Sequence, residues 1–414
     1  MSRYQNIVGK INYGLFLTVV ALLPFPQLPL RVACVLWIVA WALEGRWLSK
    51  PKPLKDNPMA IPFILFGIWY AWRALSWFWS ADHAVWSWAM ERYMTFGLMV
   101  PVGIWGVNDR YNWRTAGKVL VWSCVAAVPI YLALTTTLFY HREIIDTLQW
   151  RADWNYATDN WFVFFTDNIS AIKHRLFLCS VELLGVVMAG QIYKEKKWLS
   201  GILILTMLSI IPLTGSRQSI LTVAALLTIG FLCEMPKRFR LRYGIGVLLL
   251  GMIIGGSLLK MHPRMQYFDF TDAKEMRHID DDHDIRFNIW GAALQQPKDY
   301  LWHGLGAGQA KEYIRQKFEK AGYSHIGTQN FHPHNQYLEE WMEIGIFGLL
   351  FFLLAWISIP LCAKEKGRQT AILFLTIFGF NMLTDCMFAK FCGIGLWAVA
   401  MLFILLQSDS QRQE

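Results

Sequence analysis

Twelve apolar runs punctuate this chain, at roughly 11–28, 30–45, 58–78, 91–107, 116–138, 174–192, 198–213, 218–234, 243–259, 338–361, 370–386 and 392–407. A helix needs about 20 mainly apolar residues to cross a bilayer. Irregular backbone cannot face lipid, because its unpaired amides and carbonyls find no partner there. Each run therefore predicts a helix, and the fold class is an all-α polytopic integral membrane protein with about twelve transmembrane helices. The chain is 55% hydrophobic before glycine is counted, whereas soluble domains reach about 45–50% only with glycine included. The first run does not read as a cleaved signal, since Pro24 and Pro26 stand where small cleavage-site residues would be and further runs follow.

Lysine and arginine crowd alternate short turns: Arg46, Lys50, Lys52 and Lys55; Lys194, Lys196 and Lys197; Lys237, Arg238, Arg240 and Arg242; Lys364, Lys366 and Arg368. The intervening short turns carry far fewer, so the basic turns and both termini are expected on the cytoplasmic side. The net charge of +9 then reflects topology and contact with anionic membrane lipid rather than a nucleic-acid partner. Three divisions follow: a membrane domain at 1–259 with nine spans, a polar loop domain at 260–337 on the outer side, and a membrane domain at 338–414 with three spans. The seven cysteines all lie in or beside apolar runs, which leaves no disulfide framework and no cysteine-based metal site. Cys386 and Cys392 flank the last outer turn and are the one pair placed to bond.

Loops longer than about 15 residues in a compact domain are usually functional or disordered. The 260–337 loop carries helical pattern. Asp284 is placed to cap a helix over Ile285–Gln296 that Pro297 stops, Gly304–Gly308 reads as a turn, and Ala310–Lys320 reads as an amphipathic helix. The acid run Asp280, Asp281, Asp282 and Asp284 lacks the spacing of a calcium loop and reads as a solvated run. A second outer segment, about 139–173, is rich in aromatics (Trp150, Trp154, Trp161) and reads as an interfacial belt or as a wall for sugar rings.

Few residues are placed for chemistry. Thr214-Gly215-Ser216-Arg217 opens the eighth span. Ser216 can cap that helix, whose free amides and positive dipole end, with the forked guanidinium of Arg217, would bind an anion; Arg217 could instead snorkel at the interface. Arg286 falls in the first turn of its helix, either pairing with Asp282 or Asp284 or acting as a second arm on the same anion. His334 stands at the mouth of the tenth span, where an imidazole can take a proton from a hydroxyl. His332, Pro333 and Asn335 flank it; His-x-His suits a metal, but no third ligand is evident in the sequence. Asp385, at the outer end of span eleven, could orient His334 or meet an arginine. Charge inside spans is rare, with Arg73 and Glu182 the main exceptions, and such groups are expensive in lipid.

In order, these pieces resemble the bacterial O-antigen ligase and O-antigen polymerase superfamily. They are Trp79-Ser80-Ala81-Asp82, Thr214-Gly215-Ser216-Arg217, Arg286 with Trp290, Gly304-Leu305-Gly306-Ala307-Gly308, and His334-Asn335-Gln336-Tyr337-Leu338 with Gly345 and Gly348. The resemblance implies a GT-C-like glycosyltransferase of the bacterial inner membrane. It would work without metal or cofactor on the periplasmic face and take a glycan from undecaprenyl diphosphate. Arg217 and Arg286 map onto the family's diphosphate-gripping arginines, His334 onto its histidine and Asp385 onto its late acidic residue; His332 is an extra histidine that the motif does not explain. The loop length and short C-terminal tail favour a ligase acting on lipid A-core. A polymerase or a protein O-oligosaccharyltransferase is the alternative within the superfamily. A secondary transporter or flippase is the alternative outside it, and would need paired charge near the midplane of both halves.

Overall fold

In a computed structural model, the residues described are 3–139, 169, 172–261, 285–320 and 331–409. Among them the regular structure is entirely helical: α1 (Arg3–Leu22), α2 (Gln27–Leu43), α3 (Ala60–Leu75), α4 (His83–Trp105), α5 (Trp113–Phe139), α6 (Arg175–Ile192), α7 (Lys197–Leu213), α8 (Arg217–Glu234), α9 (Lys237–Met261), α10 (Ile285–Leu294), α11 (Ala310–Lys320), α12 (Gln336–Cys362), α13 (Glu365–Met382) and α14 (Phe391–Asp409). Each apolar run of the sequence is largely helical, although the first, at 11–28, overruns α1 and enters α2. Among the described residues, eight helical segments, on α2, α3, α5, α6, α8, α9, α12 and α14, are long and apolar enough to cross a membrane. The first two runs begin and end earlier than expected. α1 stops at Leu22, and after a turn through Phe25 the chain restarts at Gln27. Pro24 and Pro26 have no N–H to continue a helix, so the boundary falls before them.

The chain divides into two compact units. The first comprises Met1–Arg46 and Val107–His262. A buried polar group ties its helices: Glu44 accepts from Asn12 at 2.6 Å and from Asn108 at 3.0 Å, Tyr111 donates to Asn12 at 2.8 Å, and Trp37 donates to Tyr111 at 2.7 Å. α9 packs on α8 and leaves Leu241, Ile245, Met252 and Ile253 uncovered, a surface suited to lipid.

The second unit comprises Trp47–Gly106 and Pro263–Glu414. α3 packs on α4 and α12, and α14 is buried along nearly its whole length. Interlocking aromatic rings fill this core, among them Phe96 against Trp397 at 4.3 Å and Trp69 against Phe96 at 4.9 Å. The polar stretch is folded onto α12. Ile289, Ala292 and Ala293 of α10, Tyr300, and Ile314 and Phe318 of α11 form one apolar cluster with Met342 of α12. The boundaries of α11 match the amphipathic pattern read from sequence. α10 ends at Leu294, two residues short of the expected stop, before a short turn over Pro297–Asp299.

α12 is broken at Gly345, whose φ of 68° is left-handed. A glycine-rich loop fills the break: Leu305 N–H donates to Met342 O at 2.9 Å, Gly306 N–H to Glu343 O at 2.8 Å, and Ile346 N–H to Leu301 O at 2.9 Å. The indole of Trp72 takes Ile344 O at 3.0 Å. Contact is backbone to backbone, so a Cβ at Gly345 would lie 2.2 Å from Trp302 O and one at Gly304 would lie 2.3 Å from Glu343 O. The same loop is tied to the α3–α4 turn, where Ala307 N–H donates to Ser76 at 3.0 Å and Gln309 to Ser80 at 3.1 Å. Trp79–Asp82, Gly304–Gly308 and Gly345, far apart in sequence, are thus parts of one structural joint.

Candidate active site

The segment before α12 is held from three directions. Asn335 caps the helix, its Oδ1 accepting from Leu338 N–H at 3.0 Å. The Trp290 indole donates to Pro333 O at 2.8 Å. His334 N–H donates to His332 Nδ1 at 3.2 Å. Between these restraints His334 takes a φ of 48°, the one left-handed non-glycine residue among those described. Such a conformation is costly for a residue with a Cβ and persists where its surroundings over-determine it, often at functional sites.

Asp385 comes to both histidines. Its Oδ1 is 3.7 Å from His334 Nδ1 and 3.7 Å from His332 Nε2, and the two rings are 3.9 Å apart centre to centre. The sequence offered no third ligand to the His-x-His pair; the fold supplies one, and the donor atoms of His332, His334 and Asp385 all lie within 4.8 Å of one another. The hydrogen bonding favours proton chemistry over metal binding. His332 Nδ1 accepts a main-chain proton, so in the neutral ring the other proton sits on Nε2, the nitrogen facing Asp385. A metal there would have to displace that proton.

Arg286 is on α10, four residues before Trp290 and so on the same helix face. One turn, about 6 Å along the axis, separates it from the residue bonded to Pro333. It is half-buried, and among the described residues it makes no hydrogen bond or ion pair. Asp282 and Asp284, its possible partners in sequence and the latter its expected helix cap, lie outside the described residues, as do the rest of the acid run and positions 140–168 of the aromatic segment.

Arg217 is in the other unit. Ser216 caps α8 as its sequence suggests, accepting from Ser219 N–H at 3.3 Å and sharing a 2.7 Å hydroxyl contact with the Ser219 side chain. Gly215 makes the turn with a φ of 62°. Thr214, Ser216 and Ser219 are buried, and Arg217, in the first turn of α8, is half-buried.

One feature beside His334 is not evident from the sequence. Arg73 is fully buried, donating to Glu340 at 2.6 Å and also to Glu343, with the Tyr93 ring 4.2 Å from the guanidinium carbon. Glu340 also accepts from the Trp69 indole at 2.9 Å. Gln336 donates to Glu339 at 3.1 Å and to Glu340 at 2.8 Å, and accepts from Phe388 N–H at 2.9 Å. That last bond joins the start of α12 to the turn that carries Asp385. Within this turn burial, together with Glu339 and Asp385, pushes the Cys386 thiol well above its usual range. Cys386 and Cys392 are both free thiols, so the one disulfide the sequence allowed is not formed. Arg73 therefore does not stand alone as a mid-span charge: Glu339, Glu340 and Glu343 surround it. In sequence they resemble the acids that commonly open a helix, which hides their role.

No curated protein matches the chain. Residues 202–353 match the family model described as O-antigen ligase, whose members are glycosyltransferase-like membrane enzymes. The match includes Arg217, Arg286, His332 and His334, the glycine loop and the break in α12. Over this segment the chain is similar to the O-antigen ligase family.

Proposed function

We propose that the protein is an O-antigen ligase of the bacterial inner membrane, with both termini cytoplasmic. It transfers a glycan from undecaprenyl diphosphate to lipid A-core on the periplasmic face. The observation that carries this reading is His334, strained at the mouth of α12 with the Asp385 carboxylate beside its Nδ1, within a segment that matches this family. The carboxylate orients the ring and stabilises the imidazolium that forms when His334 takes the proton of the acceptor hydroxyl. The acceptor oxygen bonds to C1 of the sugar as the bond from C1 to the diphosphate oxygen breaks. Attack opposite the leaving group inverts the anomeric centre. Negative charge grows on the departing diphosphate, and in this reading the Arg217 and Arg286 guanidiniums and the positive end of the α8 dipole stabilise it.

This chemistry uses no divalent metal. Transfer by the purified protein should survive EDTA; a loss that Mg²⁺ or Zn²⁺ restores would overturn it. The ligase assignment is tested by deleting the gene and running lipopolysaccharide on a gel. A ligase deletion removes every capped core, whereas retained single-unit caps would identify a polymerase. The buried Arg73 group is the feature a transporter reading would use. Arg73 is ion-paired to both Glu340 and Glu343, at the end of α3 and in the first part of α12, close in sequence to Ser76 and His334, which fits a structural clamp better than a translocation path.

A further inference from the structure

We propose that His332 is a positioning residue that holds His334 in its left-handed conformation and is not itself the base. This rests on the reading of His334 as the base. The nitrogens of the two rings are committed differently. His332 Nδ1 accepts the His334 main-chain N–H at 3.2 Å, and His332 Nε2 faces Asp385 at 3.7 Å. Neither is left for an acceptor hydroxyl. His334 turns only Nδ1 toward Asp385, and among the described residues its Nε2 makes no hydrogen bond. Nε2 of His334 is thus the nitrogen available to take a proton.

The backbone explains why a second histidine is needed. At a φ of 48° a residue with a Cβ sits in a sparsely populated region and drifts to ordinary conformations unless it is restrained. Pro333 stiffens the preceding residue, and the Trp290 bond to Pro333 O fixes the chain on that side. The His334 amide is the remaining free handle, and His332 Nδ1 takes it. The ring contact at 3.9 Å then supports the imidazole from one face. Without the Nδ1 acceptor, His334 can rotate away from Asp385 and from the acceptor hydroxyl.

The experiment compares His332→Ala, His332→Asn and His334→Ala in purified full-length protein, using a lipid diphosphate-linked glycan donor and a lipid A-core acceptor. Asparagine places Oδ1 near the position of Nδ1 and keeps the hydrogen bond, but it cannot act as a base at neutral pH. His332→Ala should lower kcat roughly 10- to 100-fold, the cost of a misplaced catalytic group, with the KM for the donor unchanged. His332→Asn should restore kcat close to the parent's. A role confined to folding would lower the yield of inserted protein and would not separate kcat from KM. Parental kcat in His332→Ala, or His332→Asn as impaired as His332→Ala, would overturn the positioning role. Full activity in His334→Ala would instead remove the base on which the proposal rests, and that outcome is read from a different variant.

Discussion

Replacing Arg73 with methionine should cost about 3–5 kcal/mol of stability, the usual result of removing one partner from a buried ion pair. The loss should appear as a large drop in thermal midpoint and in the yield of inserted protein. Methionine fills most of the space, but Glu340 and Glu343 would keep carboxylates in a buried site from which their paired guanidinium has gone. The Trp69 indole and Gln336 would remain on Glu340 and could not carry a full charge. A triple variant, Arg73→Met with Glu340→Gln and Glu343→Gln, should recover much of the loss, because exchanging a whole buried charged group for neutral neighbours is often close to neutral. If the single variant melts with the parent, the buried group contributes nothing to the joint between α3 and α12.

Arg286→Ala should behave in the opposite way, with transfer lowered about 10²- to 10³-fold, as for loss of one fixed donor to a developing anion, and stability unchanged. The arginine lies in the first turn of α10, where a positive charge opposes the helix dipole, and it has no partner among the described residues. Arg217→Ala at the start of α8 should lower transfer by a similar factor. Both are checked by initial rates of glycan transfer, normalised to protein in the membrane. Parental rates in both variants would end the diphosphate-binding role. Arg286, poorly placed for stability and without a partner among the described residues, has a common mark of a binding residue.

The helices were legible because lipid imposes a length and an apolar content that the chain must meet. The α11 boundaries and the Ser216 cap followed from local pattern, and the end of α1 was misread by giving the prolines too little weight. The histidines and arginines stood out because charge is sparse in such a chain. Their neighbours did not. Asp385 is 51 residues from His334 in sequence, and nothing in either local pattern sets the pairing of one turn with another. Glu339, Glu340 and Glu343 looked like ordinary helix-opening acids, and their meeting with Arg73 depends on how α3 lies against α12. The glycines at 304, 306 and 345 marked a turn and a motif, but their use as a backbone joint is visible only when both strands of chain are seen together.

That joint governs how the protein can be assembled. A helix interrupted at Gly345 cannot stand in hydrocarbon unaided, because each unsatisfied amide or carbonyl there costs several kcal/mol. The polar stretch supplies the missing partners through Leu301, Leu305 and Gly306, and it is synthesised before α12. The bent form of α12 therefore presupposes a segment at 301–306 already in place to receive it. The polar stretch is a template for α12 rather than an appendage to it.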